Sequence, residues 1–149
     1  MQIQKATQND FLAIYELDQE AWKQNHKAEA IPDGSHAWRM WVETSLVYVA
    51  KSEGQIIGVA LAFPSLDGSF CLHKIFVDVT CRGQGVGSAL MDHLLQAIDD
   101  LGTSAFLSVD PRNSDAIELY AKFGFRDREF IQAFYGEGED RYILRRKEP

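Results

Sequence analysis

Apolar positions recur every second residue along some stretches of this chain and every third or fourth along others, and the changes of period mark out its elements. Gln2-Ile3-Gln4 predicts a short first strand. Thr7, with Asp10 three residues on, has the form of a helix N-cap, and Phe11, Ile14, Tyr15, Leu17, Asp18 and Trp22 follow at mostly helical spacing. Residues 25 to 36 are polar and contain Pro32 and Gly34, which predicts a loop, and the apolar run Ala37 to Val42 predicts a short helix. Leu46 to Ala50 and Ile56 to Phe63 are β-branched runs joined by a glycine turn, the signature of a hairpin, and residues 69 to 79 read as a further strand.

The second half returns to helical spacing. Val86, Leu90, Leu94, Ala97 and Leu101 mark one face of a long helix that Gly102 ends as a left-handed cap. Residues 103 to 109 predict a buried strand stopped by Asp110-Pro111. Asn113 or Ser114 then caps a helix with Ala116, Ile117, Leu119, Tyr120 and Phe123 at its periodic positions, and Gly124 closes it. Phe125 to Phe134 and Arg141 to Leu144 predict a closing hairpin around residues 135 to 140. This order predicts an α/β fold, a mixed central sheet of about seven strands with helices on both faces, formed by a single domain over residues 1–149.

Composition narrows the function. Of 149 residues 46% are hydrophobic and 25% charged, a soluble globular profile. Fifteen Lys and Arg against twenty-two Asp and Glu leave a net charge of −7, a field that repels nucleic acid and anionic membrane and attracts cationic acceptors. The first residues show no secretory leader, and no apolar run reaches the roughly 18 residues of a membrane span, so a cytoplasmic location is expected. Cys71 and Cys81 lie ten positions apart along one strand and its exit, about 30 Å if extended, which predicts free thiols with a packing role. No metal-ligand pattern is present.

The chemistry concentrates at residues 82 to 87, RGQGVG, between the strand text KIFVD and an amphipathic helix. A strand, a glycine turn and a helix in that order expose the free N–H groups of a helix N-terminus, where a pyrophosphate binds. Gly83, Gly85 and Gly87 allow positive φ and close backbone approach, and Arg82 adds a fixed charge. A dinucleotide fingerprint requires a third glycine where Ser88 stands, although Asp110 ends the next strand at about the distance of a ribose contact. The phosphate loop of nucleoside triphosphatases is absent.

The spacing of Arg82, Gly85 and Gly87 after KIFV resembles the coenzyme A signature of the GNAT family of N-acetyltransferases. Asn113, Ala116, Leu119-Tyr120 and Phe123-Gly124-Phe125 are similar to that family's second conserved helix, and the element order matches as well. The resemblance implies acetyl-CoA as cofactor, with the backbone of Ile75, Phe76 and Val77 holding its pantetheine arm and the Ile75 N–H serving as oxyanion donor. It implies that Arg82, Gly83, Gln84, Gly85, Val86, Gly87 and Ser88 take the pyrophosphate, and that Asn113 positions the cofactor or the helix. Tyr120 matches the family's general acid; a phenol of pKa about 10 can protonate a thiolate of pKa about 8.5. The alternative role for Tyr120 is packing beside Ile117 and Phe123.

The base is not assigned by the resemblance. The ribosomal-protein type of N-terminal acetyltransferase carries Glu where this chain has Ser108, and the histone-modifying branch carries Glu where it has Cys71. His73 shares strand parity with Ile75 and Val77 and is a candidate, against the more ordinary role of a structural histidine. The acceptor is expected to be a small cationic amine, polyamine-like, held by Glu29, Asp33 or Glu43 among Trp22, Trp38 and Trp41. The alternatives are a peptide or protein N-terminus, suggested by the text AFYGEGEDRYIL, and coenzyme A binding without catalysis. A homodimer is left open.

Overall fold

The computed structural model describes residues 1–24 and 31–148. Seven strands, β1 (Gln2–Lys5), β2 (Leu46–Ser52), β3 (Gln55–Pro64), β4 (Phe70–Val77), β5 (Ala105–Val109), β6 (Asp127–Ile131) and β7 (Arg141–Arg146), form one mixed sheet in the order β1-β2-β3-β4-β5-β7-β6. The helices are α1 (Phe11–Gln24), α2 (Ser35–Thr44), α3 (Val86–Asp100) and α4 (Ser114–Lys122). The chain divides into two compact units, Met1–Phe63 with His73–Ala97, and Pro64–Leu72 with Ile98–Pro149.

The first unit is built on local rules that the sequence states openly. The Thr7 hydroxyl accepts the Asn9 N–H (3.3 Å) while the Asp10 carboxylate accepts the Thr7 N–H (2.8 Å), so a capping box starts a 3-10 turn over Gln8–Asp10 that leads into α1. Antiparallel β2 and β3 are joined through Glu53 (φ 52°) and Gly54 (φ 78°), two consecutive left-handed residues as a type I′ hairpin requires. Val47, Val49, Val59 and Leu61 project into a core shared with Ala6, Ile14, Trp38 and Val42. Alternation along each strand is what brings them to one face.

A β-bulge in this hairpin bears on the site. The register passes from Ala50↔Gly58 to Lys51↔Ile56 and skips Ile57, whose carbonyl accepts the Asp78 N–H at 2.8 Å. The end of β4 is thereby tied to β3. Gly58 lets the start of α3 sit close to the sheet, because a Cβ there would come within 2.9 Å of both Leu90 Cδ1 and Val86 Cγ1. A helix carrying buried Val86, Leu90, Met91 and Leu94 is held against β3 without a spacer side chain.

In the second unit β4 runs parallel to β5 with the register Phe70↔Ala105 and Cys71↔Phe106, and β5 and β6 each pair antiparallel to β7. Asn113 caps α4 by accepting the Ala116 N–H (3.2 Å), and Gly124 (φ 98°) ends the helix as Phe125 N–H returns to the Tyr120 carbonyl (3.0 Å). Arg146 locks the same corner, bonding the Phe123 carbonyl (3.2 Å) and, bidentately, Asp99 (2.7 and 2.9 Å).

Several boundaries differ from the sequence reading. The buried stripe of α3 ends at Ile98, and Leu101 is exposed beyond the helix end at Asp100. Phe125 lies in the core before β6, while Phe134 lies in the following turn; Ala133 at φ 53° breaks the alternation after Ile131. The α2 helix begins at Ser35, earlier than the apolar run alone indicates, because Ser35 and His36 complete its first turn.

Candidate functional site

The glycine turn is assembled within the first unit. Asp78 ends β4 and caps the turn Val79–Cys81 by accepting the Thr80 N–H (2.9 Å) and hydroxyl (2.8 Å). Gly83 (φ 77°) and Gly85 (φ 80°) are both left-handed, and a Cβ on either would point into open space. Glycine is needed there for conformation, since bulk would meet nothing. The first intrahelical bond of α3 runs from the Ala89 N–H to the Gly85 carbonyl (3.1 Å), which leaves the amides of Val86, Gly87 and Ser88 at the helix N-terminus. No acidic residue stands in that first turn, Arg82, Gly83, Gln84, Gly85 and Ser88 are exposed, and buried Val86 anchors the turn. Backbone donors, the positive end of a helix dipole and an exposed guanidinium suit a pyrophosphate. Ile75, Phe76 and Val77 lie further along β4 than the two positions that pair with β5.

A second feature of this unit is a buried ionic cluster. The Lys74 ammonium, its side chain only 3% exposed, donates to both oxygens of Asp18 (3.1 Å each), to Asp33 Oδ2 (2.9 Å) and to the Ile31 carbonyl (2.7 Å). Asp18 also accepts the Trp38 indole N–H (3.1 Å) and the Asp33 backbone N–H (2.9 Å). Asp33 Oδ2 meets His73 Nε2 at 2.9 Å. Burial pushes the Asp33 carboxyl up, but the hydrogen bonds from His73 and Lys74 outweigh it and hold Asp33 below the usual carboxylate range. The His73 ring packs against both Trp41 (centroids 5.3 Å) and Phe63 (5.6 Å), which stack on each other at 6.4 Å.

Sequence reasoning named Asp33 and His73 separately and missed Lys74 and the role of Asp18. The signal was present: Asp18 is four residues from Ile14 on the core side of α1, and Lys74 stands at a core-facing position of an apolar strand. Opposite charges at two buried positions imply each other, because neither is tolerated alone. The expected acceptor walls also change. Trp38 is fully buried core, Trp22 and Trp41 are half-buried, Glu43 pairs with Arg39 at 2.7 Å, and Glu29 lies outside the described residues. Both described carboxylates assigned to a substrate ammonium thus hold cations of the protein itself.

In the second unit Tyr120 is half-buried on α4, its ring edge-on to Phe125 (centroids 6.1 Å), and Asn113 is the cap of that helix. The Ser108 and Tyr135 hydroxyls are 2.8 Å apart, Arg141 lies over the Tyr135 ring at 5.1 Å, and Phe134 packs edge-on to Tyr135. Hydrogen bonds from Arg112 hold Asp110 well down, at about 2. Both cysteines are free, and burial pushes the Cys71 thiol up to about 11, in keeping with a packing role. Among the described residues no group of three or more His, Cys, Asp or Glu is placed to hold a metal ion, and no helix is long and apolar enough to cross a membrane.

A mixed sheet whose strand runs through a doubly left-handed glycine turn into an acid-free helix N-terminus has the geometry that suits a phosphate-bearing cofactor. The family model described as Acetyltransferase (GNAT) family matches residues 11–125, and the chain belongs to that family: it is an N-acetyltransferase that draws its acetyl group from acetyl-CoA. It is similar to an uncharacterised N-acetyltransferase of Methanocaldococcus jannaschii, 28% identical across 100% of this chain and 93% of that one. An N-alpha-acetyltransferase of Sulfolobus acidocaldarius is 28% identical over 96% of this chain and 90% of its own. Among solved structures, the ribosomal-protein-S18-alanine N-acetyltransferase from Escherichia coli superposes with a TM-score of 0.78 at 25% identity, covering 98% of this chain and 92% of that one.

The Asp33 shift fixes a sign for stability against pH. A carboxyl held below its unfolded value of 3.8 contributes stability that is fully present above that value and lost as the pH falls through the folded one. The part of the melting-temperature gap between wild type and Asp33→Asn that comes from the Asp33 charge is therefore lost as the pH falls below about 4, so the gap narrows there, as thermal unfolding at stepped pH will read out.

Proposed function

We propose that the chain acetylates the α-amino group of a peptide or protein N-terminus. The observation that carries this reading is the exposed aromatic turn after β6, where Tyr135 is pinned by Ser108 and Arg141 and Phe134 braces it. An aromatic surface fixed at the rim of a sheet suits a peptide backbone, which needs a rigid wall more than a charge. Two relatives support the reading by their names, one for α-amino acetylation and the other for an alanine of ribosomal protein S18. The other acceptor class, a polyamine-like small amine, draws on the net charge of −7, but Asp33 and Glu43 are engaged by Lys74, His73 and Arg39.

In this reading the amides from Arg82 to Ser88 hold the pyrophosphate, Ile75, Phe76 and Val77 bind the pantetheine arm along their backbone, and the Ile75 N–H faces the developing oxyanion. Acetyl-CoA supplies an activated thioester carbonyl. Tyr120 protonates the leaving thiolate, and Asn113 acts through the helix it caps.

Acetyl-CoA at about 100 times its dissociation constant is expected to stabilise the fold by about 2.7 kcal/mol, visible as a raised melting temperature. Gly85→Glu removes that shift by adding a strained side chain and a negative charge at the N-terminus of α3; a variant that still binds sinks the cofactor site. Tyr120→Phe keeps acetyl-CoA affinity and lowers kcat by roughly 10² to 10⁴ under conditions where chemistry is rate-limiting, and an unaltered kcat returns Tyr120 to packing. For the acceptor, kcat/KM is compared across short peptides with free N-termini, polyamines, aromatic amines and amino acids. Peptides are expected to lead by tenfold or more, and a lead for polyamines overturns the α-amino reading.

A further inference from the structure

We propose that His73 takes the proton from the acceptor amine, with Asp33 setting which ring nitrogen does so and the buried Lys74–Asp18 pair holding Asp33 in place. The inference rests on amine acetylation as the reaction and applies to either class of acceptor.

The reaction needs a proton acceptor, because an ammonium has no lone pair with which to attack a thioester. Neither family position that carries a carboxylate elsewhere does so here: one is Ser108, and the other is Cys71, whose thiol burial keeps protonated. His73 is differently placed. Asp33 is held ionised, so the 2.9 Å contact between them runs from an Nε2–H to a carboxylate oxygen. That bond puts the hydrogen on Nε2 and leaves the lone pair on Nδ1, the logic by which a carboxylate fixes a catalytic imidazole.

The supports behind the pair are rigid. Asp33 is gripped at both ends, its backbone N–H on Asp18 (2.9 Å) and its Oδ2 on Lys74 (2.9 Å), while Lys74 is locked by both oxygens of Asp18. Trp41 and Phe63 confine the ring without bringing charge, and the side chain remains 33% exposed, open to an approaching amine. Two carboxylates and one ammonium carry −1, so a proton arriving on His73 neutralises the cluster. Asp33 is the charged group that touches the ring, and Lys74 and Asp18 stand behind it. Alternation along β4 places His73 on the same face as Ile75, about 6.6 Å along the strand from the proposed oxyanion donor.

The step balances. The ammonium passes one proton to His73 Nδ1, and its freed lone pair forms the N–C bond at the thioester carbonyl. The C–S bond breaks as the tetrahedral species collapses, the departing thiolate takes the Tyr120 hydroxyl proton, the second amine proton restores Tyr120, and His73 releases its proton to water. The products are the acetamide, coenzyme A thiol and one proton.

The test compares wild type, His73→Gln and Asp33→Asn, using a short peptide with a free N-terminal alanine and, separately, spermidine as acceptors. His73→Gln is expected to keep its acetyl-CoA-induced melting shift and to lose roughly 10²-fold or more in kcat/KM at pH 7. The loss narrows about tenfold by pH 9.5 with the peptide, whose amine then arrives neutral. An unchanged kcat/KM, or a deficit that stays constant from pH 7 to 9.5, overturns the proposal. Nitrogen-15 NMR of the His73 ring in the wild type, without acceptor, is expected to show the Nε2–H tautomer, and in Asp33→Asn a loss of that preference; an Nδ1–H ring in the wild type also overturns it. Because the ring measurement needs no acceptor, a failed choice of acceptor and a failed base are told apart.

Discussion

An ammonium whose side chain is 3% exposed survives in a protein interior only where carboxylates and carbonyls surround it, and in the first unit Lys74 sets that requirement. Asp18 answers it from α1, Asp33 from the chain just before α2, and Ile31 through its carbonyl. Asp18 in turn accepts the indole of Trp38, the largest fully buried side chain of the core. One charged position on β4 thus fixes where α1, the segment before α2 and the aromatic core stand with respect to a single strand. An apolar residue in its place could bury as much surface, but it would leave Asp18 without its cation and Asp33 with one partner fewer.

The same strand carries the second constraint further along. Its end is tied to the bulge at Ile57, its continuation turns through two left-handed glycines, and Gly58 lets α3 settle close to β3. These devices are backbone devices, and they serve a ligand that is also recognised by backbone amides. Side chains set the position of β4; main-chain geometry shapes the turn at its end. The two contributions meet within thirteen residues, 73 to 85.

Features that depend on neighbours in sequence are legible without coordinates: the capping box at Thr7, the hairpin turn at Gly54, the Asn113 cap, the Gly124 terminator and the glycine turn itself. Each depends on one or two residues and a local hydrogen bond. The features hidden from sequence depend on distant partners. His73 and Asp33 are 40 positions apart, and Lys74 and Asp18 are 56 apart, so only the fold turns two unremarkable charges and a strand histidine into one cluster. Apolar alternation locates the closing hairpin and overextends it, because the pattern runs on through Ala133, whose backbone has already reversed. The acceptor carboxylates cannot be judged from sequence, since their availability is decided by whether the protein's own cations reach them first.

The two thiols differ in a way that is useful beyond the chemistry of transfer. With burial pushing Cys71 up to about 11, its thiol stays almost wholly protonated at pH 8, and an alkylating reagent finds little to attack. Cys81 is half-buried at the end of the turn that Asp78 caps, two residues before Gly83. The native chain therefore offers one preferred attachment point for a fluorophore or spin label beside its glycine turn. Spectroscopy could follow that turn in the unaltered sequence, with no cysteine engineered in or out.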